Sequence, residues 1–470
     1  MPYENEMANK ASHFDIVRNP DVTDFLSGCD FLKPPSDEEA AAIAALFAAP
    51  PATAGVGLPD RVIALDGSFY ESSISERLPS TKVGYVKVGA ILIELSEFAA
   101  LREGRFVDPF RVAELRNQND ALPFVLPSAN IRAKGRTSVR DTFRAVVDER
   151  LFHKSTRFAP DDPSTSLRTT LFHLASRRTG ELHTGDPGRL MLHKCPSCSM
   201  EGVEVFDKAD PQYCPQCGGE VFASDCLRLW EEVNEFQSNQ LALSRFMMLI
   251  EHLLPVHYCR YLLRVAPQLL SSTAFFIDGP LAVFRTGAWL HASILNYLAE
   301  VNERLVEIGL QPIIVIGLQK TGQVVDHAKL VSGFIEEDRL LLVDDEYRYK
   351  FILADRDPAG NGFGHETYYG QDFIYKTPTG RIFVLALPYP FKAKSAIDDF
   401  VMVKTEIHRY TQLARALALI RHFEYDLYEN AVIPVALAHR YTAISLVPGG
   451  RVLDILTRRA LDAKMPGNNS

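Results

Sequence analysis

Short apolar runs of strand length alternate along the chain with longer stretches whose apolar positions recur at helical spacing. Arg61–Leu65 (RVIAL) reads as a strand ending at Asp66-Gly67-Ser68. Lys82–Leu95, rich in Val, Ile and Tyr, reads as one or two more. Strand, turn, strand predicts an antiparallel opening to a sheet. Helices are predicted over Arg111–Asn119 and Ser138–Phe152, the second from the spacing of Val139, Phe143, Val146, Val147 and Leu151. Residues 157–189, rich in Ser, Thr, Pro and Asp, read as loop or short elements.

A long helix is predicted over Leu227–Leu254, closed by Pro255. Thr273–Ile277 (TAFFI) is a buried strand that delivers Asp278-Gly279-Pro280. Ala288–Ile308 is a second long helix, closed by Gly309, and Pro312–Leu318 is a nearly continuous apolar strand expected to be covered on both faces. Arg339–Val343, a loop with Gly360, Gly362 and Gly364, a strand over Ile382–Leu387 and a helix near Lys404–His422 follow. This alternation predicts an α/β layered domain with a mixed sheet flanked by helices. The first 60 residues read as a helical extension: Ser36-Asp37-Glu38-Glu39 opens a helix and Pro50-Pro51 ends it. The remainder divides into a first core segment (61–190), a cysteine-bearing insertion (191–226) and a second core segment (227–470).

Hydrophobic residues make up 47% of the 470 residues and charged residues 23%, which excludes a disordered chain. The length allows two to four domain-sized units, or one elaborated domain. No run of about 18 apolar residues is present, so no membrane span is expected. The best candidate, Ala40–Leu58, is broken by Pro50 and Pro51. Met1–Lys10 has no apolar core and is not a secretory signal, so a cytoplasmic protein is expected. The net charge of −9 argues against a nonspecific DNA coat protein. Between Arg132 and Lys194, however, 13 basic residues face 7 acidic ones. That window is either a solvated surface or a nucleic-acid contact.

Four of the seven cysteines form two knuckles, Cys195-x2-Cys198 and Cys214-x2-Cys217, separated by 15 residues. Four thiolates at this spacing favour a closed tetrahedral Zn²⁺ site of the zinc-ribbon kind, structural because no coordination position stays open. The others, Cys29, Cys226 and Cys259, are scattered and read as plain thiols. Asp66 and Asp278 each follow an apolar strand and precede a glycine. One Asp-Gly is ordinarily turn chemistry. Two carboxylates at the ends of core strands are also the oxygen donors that hold Mg²⁺ or Mn²⁺ at a sheet edge.

The blocks Ile63-Ala-Leu-Asp-Gly-Ser68, Gly84-Tyr-Val-Lys-Val88, Phe275-Phe-Ile-Asp-Gly-Pro-Leu281, Val315-Ile-Gly-Leu-Gln-Lys320 and Ile433-Pro-Val-Ala-Leu-Ala-His-Arg440 resemble, in order, those of the NurA nuclease family. The resemblance runs from about Arg61 to about Pro448. It implies an RNase H-like fold, a homodimer, Mn²⁺- or Mg²⁺-dependent cleavage of DNA, and work beside a hexameric HerA-type ATPase in DNA end processing or antiviral defence. Carried over residue by residue, it makes Asp66 and Asp278 metal ligands and places the family histidine at His439 and a family lysine at Lys320. The family glutamate falls best on Glu251, with Glu232 and Glu235 as rivals, and the family tyrosine has no match in register, Tyr428 being nearest. Two other readings stay open: an inactive scaffold that binds DNA or docks the ATPase, and an unrelated zinc-ribbon protein that binds nucleic acid without cutting it.

Overall fold

The computed structural model describes residues 14–29, 34–100, 102–103, 106–107, 119–353, 362–394, 399–424, 432–444 and 449–462. Its centre is an eight-stranded mixed sheet. The strands are β1 (Arg61–Ser75), β2 (Leu78–Glu94), β3 (Asn119–Pro127), β4 (Thr273–Asp278), β5 (Ile314–Gln319), β6 (Arg339–Leu342), β7 (Gly370–Lys376) and β8 (Ile382–Pro388). Their spatial order is β6-β7-β8-β5-β4-β1-β2-β3. β1, β4 and β5 run parallel, and β2 pairs antiparallel with both β1 and β3. The five strands β3-β2-β1-β4-β5, with β2 alone reversed, form the RNase H-like core. The antiparallel strands β8, β7 and β6 extend it on the β5 side.

Side chains on a strand alternate between faces, and β1 uses both. Ile63 and Leu65 join the core on one face with Val86, Val88, Phe275 and Ile277. Val62 and Ala64 join the core on the other with Ile91, Ile93, Phe276 and Ile316. The first face is covered by helices α1 (Val139–Phe152), α2 (Leu167–Ala175), α3 (Gln240–Val265) and α4 (Leu290–Glu307). A fifth helix, α5 (Gln323–Val331), packs with β8 in a third, smaller core. The second face is covered by α6 (Leu413–Phe423) and α7 (Ile433–Thr442), and a last helix, α8 (Gly449–Asp462), lies against β1.

Several predicted elements move. β1 does not turn at Asp66-Gly67: it continues to Ser75, because β2 keeps pairing with it after β4 has ended. The helix predicted over Leu227–Leu254 begins only at Gln240 and passes through Pro255 to Val265. Residues 223–232 form short 3-10 turns instead. A mid-helix proline forfeits one backbone bond, and burial of Leu253, Leu254 and Val256 holds the helix together around it. The last predicted helix contracts to α6, and the strand at Gly370–Lys376 was not anticipated. The helix predicted over Arg111–Asn119 falls outside the described residues up to position 118, and Asn119 opens β3. No described helix is long and apolar enough to cross a membrane.

Candidate active site

The site follows from strand register. Leu65 pairs with Ile277 in the parallel β1–β4 ladder. The next position on each strand is Asp66 and Asp278, so the two carboxylates are neighbours where β4 ends. Both share the alternation of Ala64 and Phe276 and therefore face α7. That helix starts with Pro434 in its first turn, a position that costs no backbone bond. It buries Ile433, Val435, Leu437 and Ala438, with each large side chain contributing about 1.5–3 kcal/mol. So anchored, it delivers His439 to Asp66. His439 Nδ1 lies 2.9 Å from Asp66 Oδ2, and the Thr442 hydroxyl, one turn on, donates to the same oxygen at 3.4 Å. Lys320, immediately after β5, donates from Nζ to Asp278 Oδ2 at 2.8 Å.

Two glycines admit the helices to this point. Gly89 pairs with Asp66 across the β1–β2 ladder. A Cβ there would sit 2.8 Å from the Thr442 methyl and 3.0 Å from the Tyr441 ring. Gly67 faces the opposite way, toward α3, where a Cβ would lie 2.6 Å from Met247 Cγ and 2.7 Å from Glu251 Oε1. The bare backbone at Gly67 thus lets the Glu251 carboxylate approach from the far face of the sheet. Of the three glutamates considered, only Glu251 comes to this place. Glu235 instead accepts from the Val139 and Arg140 backbone amides at 2.7 and 3.1 Å and caps α1. Glu232 stands 3.9 Å from the Arg245 guanidinium.

One ligand atom from each of Asp66, Asp278 and His439 falls within 4.8 Å of the others. Burial, and then Asp278 beside it, raises the Asp66 carboxyl to about 6, against the opposing pull of Lys320 and His439. Burial also pushes Glu251 well above the ordinary carboxylate range, with Asp66 and Asp278 adding to it. Three carboxylates thus crowd a place where Lys320 is the near ammonium, an excess of negative charge that a divalent cation would relieve. Oxygen donors with one imidazole suit Mg²⁺ or Mn²⁺.

A NurA domain model matches residues 60–444, which span β1, α3, β4, β5 and α7. The chain belongs to the NurA nuclease family. Among solved structures it is similar to the crystal structure of the NurA nuclease from Sulfolobus solfataricus, at 9% identity and a TM-score of 0.34, with 97% of each chain covered. No curated protein matches it.

Within the NurA region the four knuckle cysteines also converge. Cys195 and Cys217 sulfurs are 3.8 Å apart and those of Cys198 and Cys214 3.7 Å. All four lie within 4.8 Å of one another. The Ser197 and Gly219 amides point at the Cys195 and Cys217 sulfurs at 3.4 Å, and Gly218 takes a φ of +69° in the second knuckle. This donor set fits a tetrahedral soft-metal site. The paired strands Arg189–Lys194 and Glu201–Phe206 carry the first knuckle, and their Leu190, Leu192, Val203 and Val205 merge with the core under α1 and α2. Buried ion pairs join the module to its neighbours, Arg144 of α1 to Asp225 and Arg168 of α2 to Asp207, and Arg168 also pairs with Asp148 of α1. Of the thirteen basic residues counted between Arg132 and Lys194, seven form ion pairs, and Arg144 and Arg168 are buried in theirs.

Thr442, Gly89 and Lys87 escaped the sequence reading. Lys87 donates to the Tyr441 carbonyl at 2.6 Å and lies 4.1 Å from that ring's centroid, so it ties α7 to β2. The three-residue step from His439 to Thr442 was the available signal for the threonine. Tyr428 lies outside the described residues.

Proposed function

We propose that this NurA-family protein is a metal-dependent DNA nuclease whose cutting centre is Asp66, Asp278, Glu251 and His439, with Lys320 beside them. The observation that carries this reading is the convergence of Asp66, Asp278 and His439 at the end of β4, with Glu251 reaching over Gly67. Asp66 and Asp278 would hold a Mn²⁺ or Mg²⁺ ion there, which would supply the charge that polarises a phosphodiester and makes water a better nucleophile. Glu251, shielded from water, either completes the ligand set or takes a proton from the attacking water, for which its raised affinity suits it. His439, 57% exposed at its side chain, is placed to meet phosphate or pass a proton to the leaving oxygen. Lys320 balances Asp278 and offers positive charge to the phosphate.

Family membership further supports a homodimer that works with a hexameric HerA-type ATPase in end processing or antiviral defence. The cysteine cluster supports a structural Zn²⁺ that closes the ribbon. The test is digestion of linear DNA with Mn²⁺ by wild type and by Asp66→Ala. Cleavage by the first and not by the second supports the reading. No cleavage by either, with or without a HerA-type ATPase, favours an inactive scaffold.

A further inference from the structure

A cavity of about 480 Å³ opens between α2, the C-terminal half of α3 and α4. Its walls carry Arg177, Arg260, Arg264, Arg304 and His173, and no carboxylate lines it. Two of these arginines are already engaged: Arg177 with Glu300 at 2.7 Å and Arg304 with Glu307 at 2.9 Å. The other two are not, as neither Arg260 nor Arg264 forms an ion pair among the described residues. Arg260 donates one weak bond, to the Ser166 carbonyl at 3.2 Å, and its buried Nε has no acceptor. Arg264 is exposed and rests over the Tyr261 ring at 5.9 Å. His173 Nδ1 is likewise buried without a partner. Asp162 and Asp207 bear on Arg260 only from beyond ion-pairing distance.

Unsatisfied guanidinium donors around a cavity are costly unless an acceptor-rich ligand meets them. Guanidinium forks match phosphate oxygens in geometry as well as charge. Burial, with Arg260 and Arg177 adding to it, pushes the His173 imidazole down to about 4. That leaves a neutral ring whose nitrogen can accept or donate a hydrogen bond. A bare phosphate would leave most of this volume empty. Leu263, Pro267 and Ile308 line the rest with apolar surface for an organic moiety.

The place is separate from the carboxylate centre. Arg260 and Arg264 lie nine and thirteen residues beyond Glu251 on α3, about 13 and 20 Å along the helix axis. Pro267 lies just before β4 begins, whereas Asp278 lies where it ends.

We propose that this cavity binds a phosphorylated small molecule of nucleoside monophosphate size, with its phosphate held by Arg260 and Arg264. The shared chemistry is a phosphomonoester on a nucleoside, supplied either by a free nucleotide or by the 5′ end of a DNA strand. The proposal does not depend on the cutting centre being active.

Calorimetric titration of the full-length protein, with no added divalent cation, tests it. Deoxyadenosine monophosphate should bind at one per chain in the submillimolar range, inorganic phosphate more weakly, and deoxyadenosine not at all. Arg264→Gln, at an exposed position that leaves the fold intact, and Arg260→Gln should each weaken binding at least about tenfold. Asp66→Asn should leave it unchanged. Competition by a 5′-phosphorylated oligonucleotide but not by its 5′-hydroxyl twin would assign the DNA end as the source, and its absence the free nucleotide. The proposal is overturned if the nucleotide gives no heat at millimolar concentration, if Arg264→Gln binds like wild type, or if Asp66→Asn abolishes binding while the arginine variants do not.

Discussion

Asp66 and His439 are separated by 373 positions in sequence and meet with Oδ2 and Nδ1 2.9 Å apart. The contact ties the middle of β1 to the last turn of α7. It makes the histidine's orientation depend on the carboxylate, and both on the packing of α7 against the second face of the sheet. Replacing His439 by Ala should lower cleavage by ~10²–10⁴-fold, the range for one acid–base group. Thr442→Val, which removes the longer bond to the same oxygen along with the hydroxyl's alternative bonds to the Ala438 and His439 carbonyls, should cost much less. Turnover measured on linear DNA with Mn²⁺ separates the two variants; equal losses would mean that the histidine acts only by holding α7.

Gly67 has a steric task. A methyl group there meets Met247 and Glu251 within 2.7 Å, so Gly67→Ala must push α3 away or displace the carboxylate. Overpacking of this kind costs about 1–3 kcal/mol. The variant should melt several degrees lower and lose most of its activity, while Met247→Ala in the same chain should restore part of the melting temperature. A Gly67→Ala protein with wild-type melting and turnover would show that Glu251 needs no such approach.

The raised Asp66 carboxyl gives a pH dependence with a definite sign. It titrates at about 6 in the folded chain and near 3.9 in an unfolded one. The folded state therefore holds the proton more tightly. Stability falls as pH rises from about 4 to about 6, by on the order of 2 kcal/mol, when no divalent cation is present. Denaturant titrations across this range should show a smaller loss in Asp66→Asn than in wild type, the remainder coming from the buried Glu251 carboxyl, which is also raised. Mn²⁺ should offset the loss at pH 7 in wild type alone. Equal pH slopes in the two proteins would contradict the crowding of charge described at the site.

Zinc should be present at about one per chain after gel filtration. Cys195→Ser combined with Cys214→Ser should cost solubility more than it alters cleavage by the protein that stays folded, because the knuckles belong to the core under α1 and α2. Elemental analysis of folded protein without zinc would contradict the assignment.

The apolar strands β4 and β5 and the first part of β1, Arg61–Leu65, were legible because each is a short, nearly continuous apolar run, and Asp66 and Asp278 could be picked out next to two of them. The knuckles were legible from spacing alone. What local pattern could not convey was pairing. Nothing in the sequence around Gly67 says that β2 will go on pairing with β1 beyond Asp66, so a strand interior was taken for a turn. Pro255 looked like a helix end because its lost backbone bond is a local cost, whereas the burial that outweighs it is tertiary. Glu251 could be nominated from family pattern, yet its preference over Glu232 and Glu235 comes from the missing side chain at Gly67, which lies 184 positions earlier. The unpaired arginines Arg260 and Arg264 of the cavity between α2, α3 and α4 were invisible for the same reason: sequence gives their number, not which of them find carboxylates.

If Asp66 is a metal ligand of the cutting centre, its loss cannot be made good by the residues around it. Asp66→Ala and Asp278→Ala should each lose DNA cleavage by several orders of magnitude, and the double variant should be no worse, since residues acting as a unit are not additive. The most direct measurement is the rate at which Asp66→Ala, shown to be folded by circular dichroism, degrades linear DNA with Mn²⁺ under conditions where wild type is active. No cleavage above background is expected; degradation at the wild-type rate would rule Asp66 out as a metal ligand of the cutting centre.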